Sequence, residues 1–399
     1  MKKSRMTVLL AVALCLVFAF TIVLAGCGGK SGSGDQQSDK GTIKIVTVSP
    51  LSGTQAPFGE AVKLGVQMAV EDKKAEIEKM GFKVEFMPQD DSADPKMGVA
   101  VAQKLITDED VLAVAGHMNS GVTIPASEIY AKANLAMYTS FATNPMITER
   151  ALKNVGRICN RDDIQGSAAA KFAVDTLKIK TAFVVHDKSA YGQGVADEFK
   201  KKAEELGVKT VGYEGLTQGE VDFSAIVNKV VQAKPDVLYY GGNYTEAGCL
   251  LKQMREKGNN AVFIGSDGED SPEWVKVTGK YIVGAYYTTM APDISATAEG
   301  KAWAERFNQR FGKMPEAIST YSYDTGLVIM QGLLDAIKAN GDKKPTREQV
   351  SEAVRKVEVK GITGTIAFDE KGDNKNAKSF VMQFKEEKYP GVLASEVSK

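Results

Sequence analysis

Val111-Leu112-Ala113-Val114-Ala115 is an unbroken apolar run that leads directly into Gly116-His117-Met118-Asn119-Ser120. Such a run reads as a strand buried on both faces of a sheet. After a hydroxyl-rich turn, the spacing predicts a helix over 124–133 and a second strand over 135–139. Strand, helix and strand in so short a span make a crossover unit with parallel strands.

The same alternation extends in both directions. Upstream, strands are predicted over 43–48 and 82–87, with helices over 61–80 and 96–107. Asp94-Pro95 supplies an N-cap and a proline for the first turn of the second helix, and Gly81 closes the first. Downstream, strands are predicted over 181–186, 208–213, 237–240 and 262–265, and helices over 194–206, 223–233 and 247–257. The last third is helix-rich (297–311, 321–340, 347–357). It ends in strand-like runs over 364–368 and 379–384 around Asp369-Glu370-Lys371-Gly372-Asp373. The fold class is therefore α/β, with mainly parallel sheets and enough chain for two lobes. In open sheets of this kind ligands sit beyond the carboxyl ends of the strands, and two facing lobes can close on one.

The amino end carries an address. Lys2, Lys3 and Arg5 precede an apolar run from Met6 to Val23, then Leu24-Ala25-Gly26-Cys27. Charge, apolar stretch and small residues in that order make an export signal. A transmembrane anchor of that length is the other reading, but no basic stop-transfer cluster follows. Gly28 to Gly41 is Gly/Ser-rich and polar, a flexible tether. The chain has 50 basic and 50 acidic residues. Removing the leader takes three basic residues and no acid, which leaves nothing to attract nucleic acid. Of the four cysteines, Cys159 and Cys249 remain in the body, as two buried free thiols or one disulfide.

Catalytic material is thin. His117 and His186 are the only histidines and lie far apart in sequence, no metal-ligand spacing occurs, and no nucleophile elbow is present. His186-Asp187-Lys188 reads as loop capping at a strand end. Tyr191-Gly192-Gln193-Gly194 is half of a dinucleotide fingerprint. More informative are two strand ends followed by hydroxyls: Gly116 to Ser120 with Thr123 and Ser127, and Tyr138-Thr139-Ser140-Phe141-Ala142-Thr143-Asn144-Pro145. Hydroxyls and free amides there can grip a carboxylate; equally, they can cap the helices that follow.

Taken in order along the chain, these segments resemble the branched-chain amino-acid-binding family of type I periplasmic binding proteins, which serve ABC transporters. Carrying the resemblance are Pro50-Leu51-Ser52-Gly53 with Phe58-Gly59, Asp90-Asp91 with Asp94-Pro95, and Gly116-His117 with Pro125-Ala126-Ser127. Ala142-Thr143-Asn144-Pro145, Asp222-Phe223-Ser224, Tyr239-Tyr240-Gly241-Gly242 and Phe368 to Asp373 continue it. Leu24 to Cys27 likewise resembles a lipobox, where Cys27 would be lipidated.

The resemblance implies two Rossmann-like lobes joined by three crossovers around a ligand cleft. It divides the chain into a signal peptide (1–26), a lipidated cysteine and tether (27–41), lobe one (42–161 with 291–368) and lobe two (162–290 with 369–399). It implies that Ser120 and Thr143 hold a ligand carboxylate, with Ala142 beside them. The Phe141 carbonyl and Asp267 would meet an ammonium, Tyr191 would close over it, and Phe58 would form an aromatic wall. Asn243 and Glu316 stand where the family has aromatic residues, and Ala93 and Asn119 replace its lobe-one disulfide. The expected partners are an amino acid, a permease and, through Cys27, a bacterial membrane, with the chain acting as a monomer outside the cytoplasm. No cofactor, metal or catalysis is expected. Alternative readings are a receptor for an amide, a urea or a small carboxylic or aromatic acid, a surface sensor, and an extracellular hydrolase.

Overall fold

The computed structural model describes residues 39–290 and 294–397. The export segment, Cys27 and nearly all of the tether fall outside the described residues. The first part of the body runs β1 (Thr42–Ser49), α1 (Ala56–Glu78), β2 (Lys83–Asp90), α2 (Pro95–Ile106), β3 (Val111–Gly116), α3 (Ser120–Lys132), β4 (Ala136–Thr139), α4 (Met146–Glu149) and β5 (Val155–Arg157). Next come α5 (Asp162–Asp175), β6 (Thr181–His186), α6 (Ala190–Glu205), β7 (Lys209–Gly215), α7 (Ser224–Ala233), β8 (Val237–Gly241), α8 (Tyr244–Glu256), β9 (Val262–Gly265), α9 (Pro272–Thr278) and β10 (Tyr286–Thr289). The chain ends with α10 (Ala298–Phe311), α11 (Ala317–Ala339), α12 (Arg347–Arg355), β11 (Glu358–Lys360), β12 (Thr365–Ala367), β13 (Ser379–Gln383) and β14 (Val392–Val397).

Each lobe is built on one sheet. The first has the order β2-β1-β3-β4-β5 and is parallel throughout. β3 sits at its centre and all six of its residues are buried, as its apolar run requires. The second has the order β14-β13-β10-β9-β8-β6-β7. It is parallel from β10 to β7, and its edge strands β13 and β14 are antiparallel. The chain leaves the first sheet after β5 and the second after β10. It returns to β13 only after α11 has packed along α1 and Arg347 of α12 has donated to the Val111 carbonyl at 3.0 Å. This is the two-lobed α/β class that the alternation predicts.

The helix starts differ from expectation in a patterned way. α2, α7, α10 and α12 begin within one residue of the predicted positions. Asp94 caps α2 as read, accepting from the amides of Lys96 at 2.7 Å and Met97 at 3.0 Å. By contrast α1, α3, α6, α8 and α11 begin at Ala56, Ser120, Ala190, Tyr244 and Ala317, three to five residues earlier than apolar periodicity indicates. Their first turns are mostly small or polar, with single apolar side chains such as Phe58 and Val122, so they carry little periodic signal. In α6, Gly192 reads as a loop residue, yet a Cβ there would meet Asp187 Oδ1 at 2.2 Å and the Gly241 carbonyl at 2.5 Å. Close packing, not flexibility, selects glycine at that position. Cys159 is a buried free thiol and Cys249 a free but only half-buried one.

Candidate functional site: the cleft between the sheets

Four of these early-starting helices, α1, α3, α6 and α8, aim their amino ends at one gap, a cleft of ≈ 350 Å³, while α11 begins at a separate cavity. Gln55, Asn119, Ser189 and Asn243, the residues that precede the four helices, all line it. Ser120, Gly121 and Val122 from α3, Ala190 and Tyr191 from α6, and Met118 and Phe141 complete most of the wall. First-turn amides have no carbonyl within their own helix and carry partial positive charge, so converging helix starts favour an anionic group. Of the four N-cap side chains only Ser189 caps its helix, accepting from the Gly192 amide at 2.9 Å. The lobes touch across this gap. Asn144 Nδ2 donates to the Ala190 carbonyl at 2.7 Å and the Tyr244 hydroxyl to the Thr54 carbonyl at 2.9 Å.

Of the eight residues expected to bind a ligand, Ser120, Phe141, Tyr191 and Asn243 line this cleft, whereas Ala142, Thr143 and Asp267 are fully buried and do not line it. Ser120 is buried at the first position of α3, and its Oγ accepts from the Asn144 amide at 3.2 Å. Thr143 is fully buried and its Oγ1 makes no well-formed hydrogen bond among the described residues. The Ala142 carbonyl is occupied by Arg157 Nη1 at 3.1 Å. Asn243 Nδ2 donates to Asp187 Oδ2 at 3.4 Å. Phe58 does not line the cleft; it is buried behind Phe141, ring centroids 5.7 Å apart, and meets the edge of Tyr244 at 5.0 Å. Glu316 lies in a separate cavity of ≈ 330 Å³ with Asp270 and Tyr389. Burial there raises its carboxyl to about 7.

Behind Tyr191 lies a dense polar cluster. The Tyr191 hydroxyl donates to Asp267 Oδ1 at 2.5 Å and accepts from the Gly268 amide at 2.9 Å. Asp267 is fully buried, and its Oδ2 has no hydrogen-bond partner among the described residues. Burial pushes its carboxyl up to about 6, against the opposing hydrogen bond from Tyr191. Gln165 holds the loop in place, its Oε1 accepting from the Asp267 amide at 2.9 Å and from the Thr288 hydroxyl at 2.7 Å. Glu269 Oε2 accepts from the Ser266 amide and hydroxyl. Asp162, at the start of α5, is also fully buried; neither oxygen makes a well-formed hydrogen bond among the described residues, although the Thr143 hydroxyl lies close enough to act on its carboxyl.

Asp162 and Gln165 were not among the residues singled out from sequence. Their one signal is spacing: three apart on a helix they share a face. His117, in contrast, is spent in the core, with Nδ1 2.8 Å from Asp91 Oδ2 and Nε2 3.1 Å from the Tyr130 hydroxyl. His186 Nδ1 accepts from the Lys188 amide at 3.1 Å, the loop-capping role read from sequence. Among the described residues no group of His, Cys, Asp and Glu has metal-binding geometry, and no helix is long and apolar enough to cross a membrane.

A family model described as periplasmic binding protein matches residues 42–389. A Leu/Ile/Val-binding protein homologue of Brucella abortus is 41% identical over 332 residues, covering 83% of this chain and 87% of the relative. The chain belongs to the branched-chain amino-acid-binding family of periplasmic binding proteins. A second relative, the leucine-, isoleucine-, valine-, threonine- and alanine-binding protein of Pseudomonas aeruginosa, is 36% identical over 336 residues, 84% of this chain and 88% of its own. The crystal structure of a leucine-binding protein from Thermotoga maritima superposes with a TM-score of 0.81 at 29% identity, covering 89% of this chain and 98% of that one. This periplasmic binding protein is therefore a solute-binding component of the ABC-transporter type. It acts outside the cytoplasm and binds rather than catalyses.

Proposed function

We propose that the protein captures an L-α-amino acid between its lobes and delivers it to an ABC permease, held at the membrane by a lipid on Cys27. The observation that carries this reading is Asp267: a fully buried carboxylate with one oxygen unpartnered. An isolated buried charge is costly, and a cationic ligand removes the cost. The Thr143 hydroxyl supplies an unused polar atom on the lobe-one side, and the first turn of α3 supplies amides for the ligand carboxylate. An ammonium at Asp267 and a carboxylate at Ser120, Thr143 and α3 satisfy both charges of a zwitterion. Tyr191 covers the head group, and Phe141 with Asn243 faces the remainder. The relatives' names, which speak of leucine, isoleucine and valine, point to the same ligand class.

A thermal-shift panel of amino acids, amides, ureas and aromatic acids tests this. An amino acid at a hundredfold its Kd should stabilise the protein by about 2.7 kcal/mol. A shift with a urea or benzoic acid and none with any amino acid would refute it. Intact mass of membrane-extracted protein should show cleavage before Cys27 plus acyl chains; an unmodified Cys27 would remove the anchor.

A further inference from the structure

We propose that Asp162 acts with Asp267 as a second carboxylate for the ligand's ammonium group; this rests on the amino-acid reading above. Two helices bring the pair together. On α5, Asp162 and Gln165 are three residues apart, and the Gln165 side chain accepts from the Asp267 amide. On α6, Tyr191 and Gly194 are likewise three apart. Tyr191 donates to Asp267 Oδ1, while a Cβ on Gly194 would stand 3.1 Å from Asp162 Oδ2. Each helix therefore touches both acids from one face.

Thr143 links the pair to the proposed carboxylate site. Its carbonyl accepts from the Asp162 amide at 3.0 Å, and its hydroxyl, in no well-formed hydrogen bond among the described residues, acts on the Asp162 carboxyl. An aspartate in the first turn of α5 is favourable for the helix alone. That role does not explain full burial with neither oxygen in a well-formed hydrogen bond among the described residues; the Thr143 hydroxyl acts on the carboxyl but does not offset its burial. The charged neighbours acting on Asp162 are Asp267, Asp163 and Arg157, and Tyr239 and Cys159 also feel its field. Arg157 is held 2.6 Å from Asp373. Burial, reinforced by Asp267, holds the Asp162 carboxyl well above the usual carboxylate range. An arriving ammonium keeps its own protons, so ionising Asp162 beside it sends one proton to solvent.

The test is calorimetry of the whole exported protein at pH 7 in buffers of different ionisation enthalpy. The probe is L-leucine, or whichever common L-amino acid binds more tightly. With Asp267 at about 6, its ionisation alone releases about 0.1 proton per ligand at pH 7. The expected result is a release several times larger, which Asp162→Asn abolishes while weakening affinity at least about tenfold. Release near 0.1 proton from the wild type overturns the proposal, and this needs no variant. Weakened binding by Asp162→Asn with unchanged release marks a structural aspartate and also overturns it. A large release that survives in Asp162→Asn or Asp162→Ser places the proton on another buried acid, Glu269 or Asp270, and also overturns the proposal. In each of these cases the amino-acid reading stands. If no amino acid binds at all, that reading falls and takes the proposal with it.

Discussion

Two buried acids in this protein have opposite surroundings. Asp91, at the end of β2, is fully buried, with Oδ2 bonded to His117 and Oδ1 accepting from the Ala93 amide at 3.0 Å. His117 in turn reaches Tyr130, so that network closes on itself. Asp267 is buried to the same degree but keeps an oxygen without a partner, next to a Thr143 hydroxyl and an Asp162 carboxyl that make no well-formed hydrogen bond among the described residues. A completed buried network is part of the core, whereas an incomplete one leaves places for atoms of a ligand.

Four experiments would break or sharpen that contrast. The largest effect is expected on the completed side. His117→Ala strips Asp91 of its partner and should lower stability by about 3–5 kcal/mol in urea unfolding. Ligand affinity should be unchanged where the variant is folded, and a loss of affinity would show that the two networks are one. On the open side, Asp267→Ala should weaken amino-acid binding by about 2–4 kcal/mol in calorimetry. It should not lower the stability of the unliganded protein, because it removes a buried charge; destabilisation would place Asp267 with the core.

The third experiment is pH. The folded carboxyl of Asp267 is raised to about 6, so its burial costs stability that sets in as pH rises through 4 to 6 and is full above that. Ligand must bind the ionised form, so Asp267 alone should lower affinity by up to about tenfold per pH unit below 6, on top of the slope that Asp162 contributes. A flat profile from pH 7 to 4.5 would remove Asp267 from the ammonium. The smallest effect is Tyr191→Phe. It deletes one hydroxyl that meets Asp267 and Gly268 and should cost about 1 kcal/mol of affinity, read by calorimetry with melting temperature as control.

The fold was largely legible because its signal is apolar periodicity. β3 reads as a buried strand since all six residues are buried, and α2 starts where Asp94 and Pro95 say it must. The cleft was harder to read for the same physical reason. Ser120, Tyr191 and Asn243 sit on or just before helix starts that have no apolar face, so pattern reading assigned these stretches to loops. Resemblance alone singled out Asn243, whereas Ser120 also stood out as a strand-end hydroxyl and Tyr191 within half of a dinucleotide fingerprint. Phe58 and Glu316 show the reverse failure. Correspondence with the family placed both near a ligand, yet Phe58 is core behind Phe141 and Glu316 belongs to the second cavity.

By itself the sequence determined the α/β alternation and the thin catalytic inventory, because each follows from neighbouring residues. Tertiary structure alone decided which polar groups are left incomplete. Asp91 and Asp162 look alike in the chain, each beside a second aspartate. Only packing, by bringing His117 to one and no more than the Thr143 hydroxyl near the other among the described residues, makes the first part of the core and leaves the second open to a ligand.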